Sequence, residues 1–459
     1  MIRVFNHYFH RQTLLQVVCD IGLIFLAFFG IYLLLFPDGL TYAVTATHGL
    51  SFLGGLLFIN TASGLYRPGQ CRSMSQLCAR AALALFLALP LAYVAFNVLP
   101  TGFANREEMR WLTMICVTAV IAHRVYAAHA DKWAVPHSRI LIFGSGTQAQ
   151  LVARAITTAD PHVEIVGYVP GPNERDCAVD PGKTLLGPCS LKDRAVQLRV
   201  TEIVVALSER RGGSMPLREL LDCKVAGVKV SDLSTYFEKM LGQIRIDQLH
   251  AGWLIFGTGF AQGAYRDMAK RVFDLVSSCV LLVLAAPVMA VAAACIALES
   301  RGGVVYRQER VGQNGDTFEV LKFRSMRVGA EKDGQPQWAA AKDDRVTRVG
   351  AFIRRFRIDE FPQLLNVLSG HMSLVGPRPE RPFFVEQLTQ KIPFYAVRHS
   401  VKPGVTGWAQ VRYQYGATVA DAQEKLQYDL YYVKNHSLFL DLVVLFETIG
   451  VVVSGKGAR

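Results

Sequence analysis

Four apolar runs occupy most of the first 130 residues, at about 13–36, 43–66, 76–99 and 109–128. Each is long enough to cross a hydrocarbon layer of about 30 Å as a helix. Mean hydropathy is +0.25 and only 19% of residues are charged, so part of the chain is expected in lipid. The first run is too long in its apolar part for a cleaved signal peptide, and no small-residue cleavage site follows it. Arg3, Arg11, Arg67, Arg72, Arg124, Lys132 and Arg139 mark the N-terminus, the second loop and the exit of the fourth run; the first loop holds Asp38 and no Lys or Arg. By the positive-inside rule the N-terminus and everything after the fourth run face the cytoplasm. Ionisable residues are nearly absent inside the runs, which favours anchoring over a transport path. Residues 1–136 therefore read as a four-helix transmembrane domain, with Pro90 kinking its third helix.

The net charge of +12 suits anionic phospholipid and phosphorylated substrates, and no nucleic-acid motif accompanies it, so nucleic acid is not an expected partner. Nine cysteines follow no paired or metal-ligand spacing and read as reduced packing residues.

From 137 to 250 the pattern alternates strand and helix, with RILIFGSG, VEIVGYV, EIVVAL and GVKVSDL as strands. This predicts a Rossmann-like parallel α/β domain. Gly144, Gly146 and Ala149 form GxGxxA, the turn through which a pyrophosphate approaches a helix N-terminus. The acid that would hold a ribose is missing after the second strand, where Tyr168, Val169 and Pro170 stand, and no Tyr-x-x-x-Lys pair is present. The domain reads as structural or regulatory, with Gly144 and Gly146 a candidate nucleotide turn.

A linker at 251–265 leads to a further apolar run, 275–298, with Arg266, Lys270 and Arg271 before it and Arg301, Arg307 and Arg310 after it. Basic flanks at both ends oppose a simple crossing. A re-entrant helix over about 270–299, broken at Pro287, resolves the conflict because proline removes a backbone hydrogen bond and bends the helix. Lys322 and Arg324 stand two apart on an expected strand and share a face suited to a diphosphate; a polar loop is expected at 328–342. Asp359 and Glu360 follow Arg348, Arg354, Arg355 and Arg357 and precede Arg378. With Pro362 in the first turn, Asp359 is expected to cap the helix through Leu364, Leu365, Val367 and Leu368. A carboxylate pair at a helix start among guanidiniums points to phosphate chemistry with a divalent metal, and Arg378 can grip two phosphate oxygens. Trp408 is read either as a base-stacking or as a packing residue, and the final apolar stretch around Asp441 and Glu447 as an interfacial helix.

The blocks KFRSM, IDEFPQLLNVLSGHMSLVGPRPERP and KPGVTGWAQV, in that order, resemble the bacterial sugar transferases, the monotopic phosphoglycosyl transferases that move hexose-1-phosphate from a nucleotide sugar to polyprenyl phosphate. The resemblance covers about 266–459. It implies a C-terminal α/β catalytic domain with a re-entrant membrane helix and interfacial helices, behind the transmembrane and Rossmann-like front half. It implies Asp359 as nucleophile on the sugar-linked phosphorus, Glu360 as ligand of Mg²⁺ (Mn²⁺ the alternative), and Lys322, Arg324, Arg348, Arg354, Arg378 and Gln363 as substrate-binding residues. The partners it implies are a UDP-hexose (glucose or galactose), undecaprenyl or other polyprenyl phosphate, and a second copy of the chain as a dimer. The place it implies is the cytoplasmic side of a bacterial inner membrane, where exopolysaccharide or capsule synthesis begins. His371, Phe361 and Arg357 depart from the family pattern, and His371 is given no role. The rival from another class is a non-catalytic, nucleotide-sensing membrane scaffold of a polysaccharide export complex.

Overall fold

The computed structural model describes residues 2–4, 7–9, 11–35, scattered positions between 54 and 126, 138–248 apart from 160–162, 173, 175–176, 188 and 208–214, and 263–453 apart from 328–344, 414–415 and 417. The second to fourth apolar runs, Pro90 and the loop expected at 328–342 lie wholly or largely outside them. The chain divides into two compact units: Tyr8–Leu241 with Met1–Ile2, and Gly242–Arg459 with Arg3–His7.

Strands β1 (Ile2–Val4) and β2 (His7–Phe9) pair ahead of helix α1 (Arg11–Leu35), which coincides with the first apolar run. Leu15, Val18, Phe25 and Leu26 on α1 are exposed, whereas Asp20 is fully buried with Oδ1 3.0 Å from His123 Nδ1. An acid placed in an apolar run is thus matched by a partner from the fourth run, which avoids the cost of an unpaired buried carboxylate.

The rest of the first unit is the expected parallel α/β layer. Strands β3 (Ser138–Phe143), β4 (Val163–Val169), β5 (Glu202–Val205) and β6 (Lys229–Asp232) lie in the order β4-β3-β5-β6, all parallel. Helices α2 (Thr147–Ala159), α3 (Leu191–Gln197) and α4 (Leu217–Val225) make the crossovers that parallel strands require, and α5 (Leu233–Leu241) follows β6. Alternate residues of β3 face different cores, Ile140 and Ile142 one, Leu141 and Phe143 the other. Burial on both faces explains why the strand reads as a continuous apolar run.

In the second unit, helix α6 (Ala264–Glu299) leads to the antiparallel hairpin β7 (Val305–Val311) and β8 (Thr317–Phe323). Helices α7 (Arg348–Arg355) and α8 (Gln363–Ser369) follow, then β9 (Ser373–Val375), α9 (Pro382–Lys391), β10 (Gly404–Thr406), α10 (Trp408–Arg412), α11 (Val419–Asn435) and α12 (Leu438–Val453), with β9 and β10 parallel.

Helix α6 is the candidate membrane element among the described residues. Val276, Val280, Leu281, Val283, Leu284, Val288 and Val291 are exposed along it. The break expected at Pro287 is not seen as an interruption: the helix runs through it, since one proline deletes one bond of the ladder and bends a helix without ending it. Both ends of α6 are tied to this unit. Near its start, Arg271 donates to the carbonyls of Val367 (2.6 Å) and Leu368 (2.8 Å), satisfying the C-terminal turn of α8. Its last residue, Glu299, accepts from Arg348 N (2.8 Å) and Val349 N (3.1 Å), satisfying the first turn of α7.

Two features depart from the sequence reading. Residues 242–248, expected with the Rossmann-like domain, pack into the second unit: Ile244 and Ile246 belong to its core, and Ile244 N donates to Gln427 O (3.0 Å). Helix α12, expected at an interface, turns its acids inward. Asp441 is fully buried, 2.7 Å from Lys270 Nζ and 2.6 Å from Tyr432 Oη, while Glu447 accepts from Arg412 (2.8 Å). Those cationic partners lie on α6 and α10, so no local periodicity reveals which way the helix faces.

Candidate active site

Helix α7 ends when Arg357 takes a left-handed conformation, φ 59°, and the chain tightens into a 3₁₀ turn over Ile358–Glu360. Pro362 then precedes α8, which Gly370 terminates at φ 91°. The expectation that Asp359 caps α8 is corrected: Pro362 stands at the cap. The turn uses backbone groups instead, with Glu360 N donating to Arg357 O (3.1 Å) and Leu364 N to Phe361 O (3.0 Å).

Three cations from three separate segments converge on one oxygen of Glu360. Arg378 donates to Oε1 at 2.9 Å, Arg357 at 3.3 Å, and Lys322 Nζ lies 3.6 Å away. Burial alone would raise the Glu360 carboxyl, but Arg378, Lys322 and Arg357 outweigh it and hold the group well below the usual carboxylate range. Asp359 goes the other way: burial and the adjacent Glu360 charge raise its carboxyl, against the pull of Lys322, Arg357 and Arg378. Two neighbouring carboxylates do not ionise with equal ease, and Glu360 holds the cations. Burial also lowers the Lys322 ammonium to about 8 despite Glu360. The result is a carboxylate pair with unequal members in an electropositive recess.

The other expected residues are placed differently. Strand β8 ends at Phe323, so alternation does not carry Arg324 to the face of Lys322; its guanidinium donates to Ser300 O (2.7 Å) and Arg301 O (3.1 Å) at the end of α6. Arg348 is exposed and Arg354 half-buried on α7, and the cations that meet Glu360 are Lys322, Arg357 and Arg378 instead. Gln363 is buried as the first residue of α8. Trp408 is a packing residue, 1% exposed, donating to Gly242 O at 2.8 Å and stacked with Tyr431.

Arg310, which the sequence marks only as a basic flank of the apolar run, also lies at the site, where its charge acts on Lys322. It donates to Pro379 O (3.1 Å) and Gln308 Oε1 (2.6 Å), and burial lowers its guanidinium to about 10 against the opposing charge of Glu380. Tyr306, Gln308 and Arg310 alternate along β7 on the face that carries Lys322 across the hairpin. That signal needs the strand register, which the sequence does not state.

A Mg²⁺ ion keeps several waters and takes one or two carboxylates plus substrate phosphates. Among the described residues no group of three or more His, Cys, Asp or Glu is built to hold a metal, and Oε1 of Glu360, the expected ligand, already faces Arg378, Arg357 and Lys322, which leaves its second oxygen for an ion.

The glycine turn of the first unit has its own arrangement. Gly144 adopts φ 137°, and a Cβ there would meet Ala206 O at 2.5 Å. The N–H groups where a pyrophosphate would lie are met by the chain itself: Glu174 Oε2 accepts from Ser145 N (2.6 Å), Ser145 Oγ (3.2 Å) and Gly171 N (3.2 Å). Glu174→Ala is expected to loosen this turn by about 2 kcal/mol, the scale of charge-assisted bonds. The check is faster amide exchange at 144–147, in a turn that the wild-type protein protects without added nucleotide.

A carboxylate pair among converging cations, in the unit that carries the long apolar helix α6, makes a site suited to phosphate esters. Residues 265–455 match the family model described as Bacterial sugar transferase. A UDP-N-acetylgalactosamine-undecaprenyl-phosphate N-acetylgalactosaminephosphotransferase of Aeromonas hydrophila is 43% identical over 242 residues, 53% of this chain and 56% of that one. The UDP-glucose:undecaprenyl-phosphate glucose-1-phosphate transferase of Escherichia coli (strain K12) is 42% identical over 184 residues, 40% of this chain and 39% of that one. An exopolysaccharide production protein, PSS, of Rhizobium leguminosarum bv. phaseoli is 42% identical over 198 residues, 41% of this chain and 97% of its own length. The chain spans about half or less of the first two relatives. It belongs to the bacterial sugar transferase family, as its motifs imply.

Proposed function

We propose that this chain transfers hexose-1-phosphate from a UDP-sugar to undecaprenyl or another polyprenyl phosphate, releasing UMP, as the first membrane step of exopolysaccharide or capsule synthesis. The observation that carries this reading is the convergence of Lys322, Arg357 and Arg378 on Glu360 beside Asp359. Anchoring Glu360 with fixed cations leaves its neighbour as the carboxylate able to change partners.

In the first step an Asp359 oxygen bonds to the sugar-linked phosphorus while that phosphorus parts from the bridging oxygen, which leaves with its electron pair as part of UMP. In the second, an oxygen of polyprenyl phosphate attacks the same phosphorus and Asp359 departs as a free carboxylate. Lys322, Arg357 and Arg378 stand where they can neutralise charge on the non-bridging oxygens. Glu360 would hold Mg²⁺ or Mn²⁺, which would supply further neutralisation of the diphosphate.

The same reading places the site at the cytoplasmic face of a bacterial inner membrane, with α6 entering and leaving by one leaflet. Its support is that α6 has an exposed apolar middle and caps α8 from near its start and α7 from its end, so that both ends are held by one unit. A helix crossing the membrane would separate those ends by the bilayer.

Incubation with UDP-hexoses labelled at the sugar-linked phosphate, without lipid acceptor, followed by denaturation at neutral pH, tests the chemistry. Label retained on the protein with stoichiometric UMP supports it. UMP formed only with acceptor and no retained label would sink the covalent route, and no UMP from any donor would favour the scaffold. The donor panel includes UDP-glucose, UDP-galactose and UDP-N-acetylgalactosamine.

A further inference from the structure

Arg378 reaches Glu360 from residues 376–381, a stretch with no regular structure of its own. Its aim therefore depends on what holds the backbone. From the hairpin side, Val311 N donates to Glu380 O (2.9 Å) and Arg310 to Pro379 O (3.1 Å). From the opposite side, Arg398 Nη2 donates to the carbonyl of Arg378 itself at 2.9 Å.

Arg398 is unusually well held. Its Nε donates to Asp429 Oδ2 at 3.1 Å, Nη2 lies 2.8 Å from the same oxygen, and Nη1 donates to Tyr395 Oη at 2.9 Å. Arg398 is 5% and Asp429 2% exposed. A buried ion pair gains little net stability over well-packed apolar residues, because desolvation offsets the attraction. What an apolar replacement would not reproduce is direction: a planar guanidinium spreads rigid donors over α11, the Tyr395 turn and the Arg378 carbonyl at once.

We propose that Arg398, oriented by Asp429 and Tyr395, is a positioning residue that fixes the backbone of Arg378 so that its side chain meets Glu360 and the transferred phosphate. The proposal rests on the reading of Arg378 as a phosphate clamp. It extends the site to α11, which carries Asp429.

The test is a double-mutant cycle on the full-length protein, following UMP release with acceptor present. Arg398→Lys keeps the charge and loses the fork; it is expected to lower kcat about tenfold to a hundredfold, the cost of a small misplacement of a reacting group. Arg378→Lys is expected to lower it as well. Because Arg398 acts through Arg378, adding Arg398→Lys to Arg378→Lys is expected to cost less than threefold more. Losses that multiply, or an Arg398→Lys protein with wild-type kcat, would overturn the positioning role. Wild-type kcat in Arg378→Lys would overturn the clamp reading, and the proposal with it. Should Arg398→Lys not fold, Tyr395→Phe deletes one of the bonds that orient the guanidinium; its smaller loss is likewise expected to vanish on the Arg378→Lys background, and persistence would overturn the role.

Discussion

Asp359→Asn is expected to abolish sugar-phosphate transfer, by at least about a thousandfold, while leaving the fold intact. The amide has the size of the carboxylate and cannot form an acyl phosphate. The substitution also relieves the site, because burial and the charge of Glu360 already disfavour ionised Asp359, so the melting temperature is expected to hold or rise. Glu360→Gln is the contrasting variant. It leaves Arg378, Arg357 and Lys322 facing a neutral group in a recess where Glu360 is 7% exposed, so it is expected to lose stability as well as activity. Parallel UMP-release and thermal-unfolding measurements separate the two residues; an Asp359→Asn protein as active as wild type would refute the nucleophile.

Removing the front half is expected to give opposite outcomes depending on a short stretch of chain. A protein beginning at Gly242 retains the core of the second unit; one beginning at Tyr265, where the family match starts, does not. The shorter piece loses Ile244 and Ile246, 1% and 5% exposed, at about 2–3 kcal/mol each for an aliphatic side chain taken from water. It also strands the Trp408 indole, whose acceptor is Gly242 O, for about 1 kcal/mol more. A loss of about 5–7 kcal/mol is comparable to the whole stability of an ordinary domain. The expected result is a folded, active protein from Gly242 and an aggregating one from Tyr265, read by size-exclusion chromatography and UMP release. Equal behaviour of the two would show that the strap formed by residues 242–248 is dispensable.

The position of the strap shows why sequence patterns stop where they do. GVKVSDL and the helix after it carry the periodicity of an α/β domain, and nothing in LGQIRIDQ announces a change of allegiance. Ile244 and Ile246 are apolar enough for either core. Only the partners, Gln427, Trp408 and the α11 face, decide the matter. The same holds for Arg324, which shares composition and spacing with Lys322 but falls past the last paired residue of β8, and for Arg398, a basic residue among 49 Lys and Arg until its three directions are seen. The glycine turn was legible as a turn; that Glu174 fills it was not, because the acid folds back from 29 residues downstream.

From the chain alone came whatever depends on neighbours in sequence: the parallel α/β layer from its strand and helix periods, the long apolar helix, the acid pair among arginines, and the family from blocks that are contiguous motifs. Tertiary structure alone settled which cations face Glu360, which end of which helix α6 caps, and where Asp359 sits. Periodicity and propensity are local, acting over a few residues. Electrostatic pairing and burial act through space, between segments whose separation along the chain carries no information about their distance once folded.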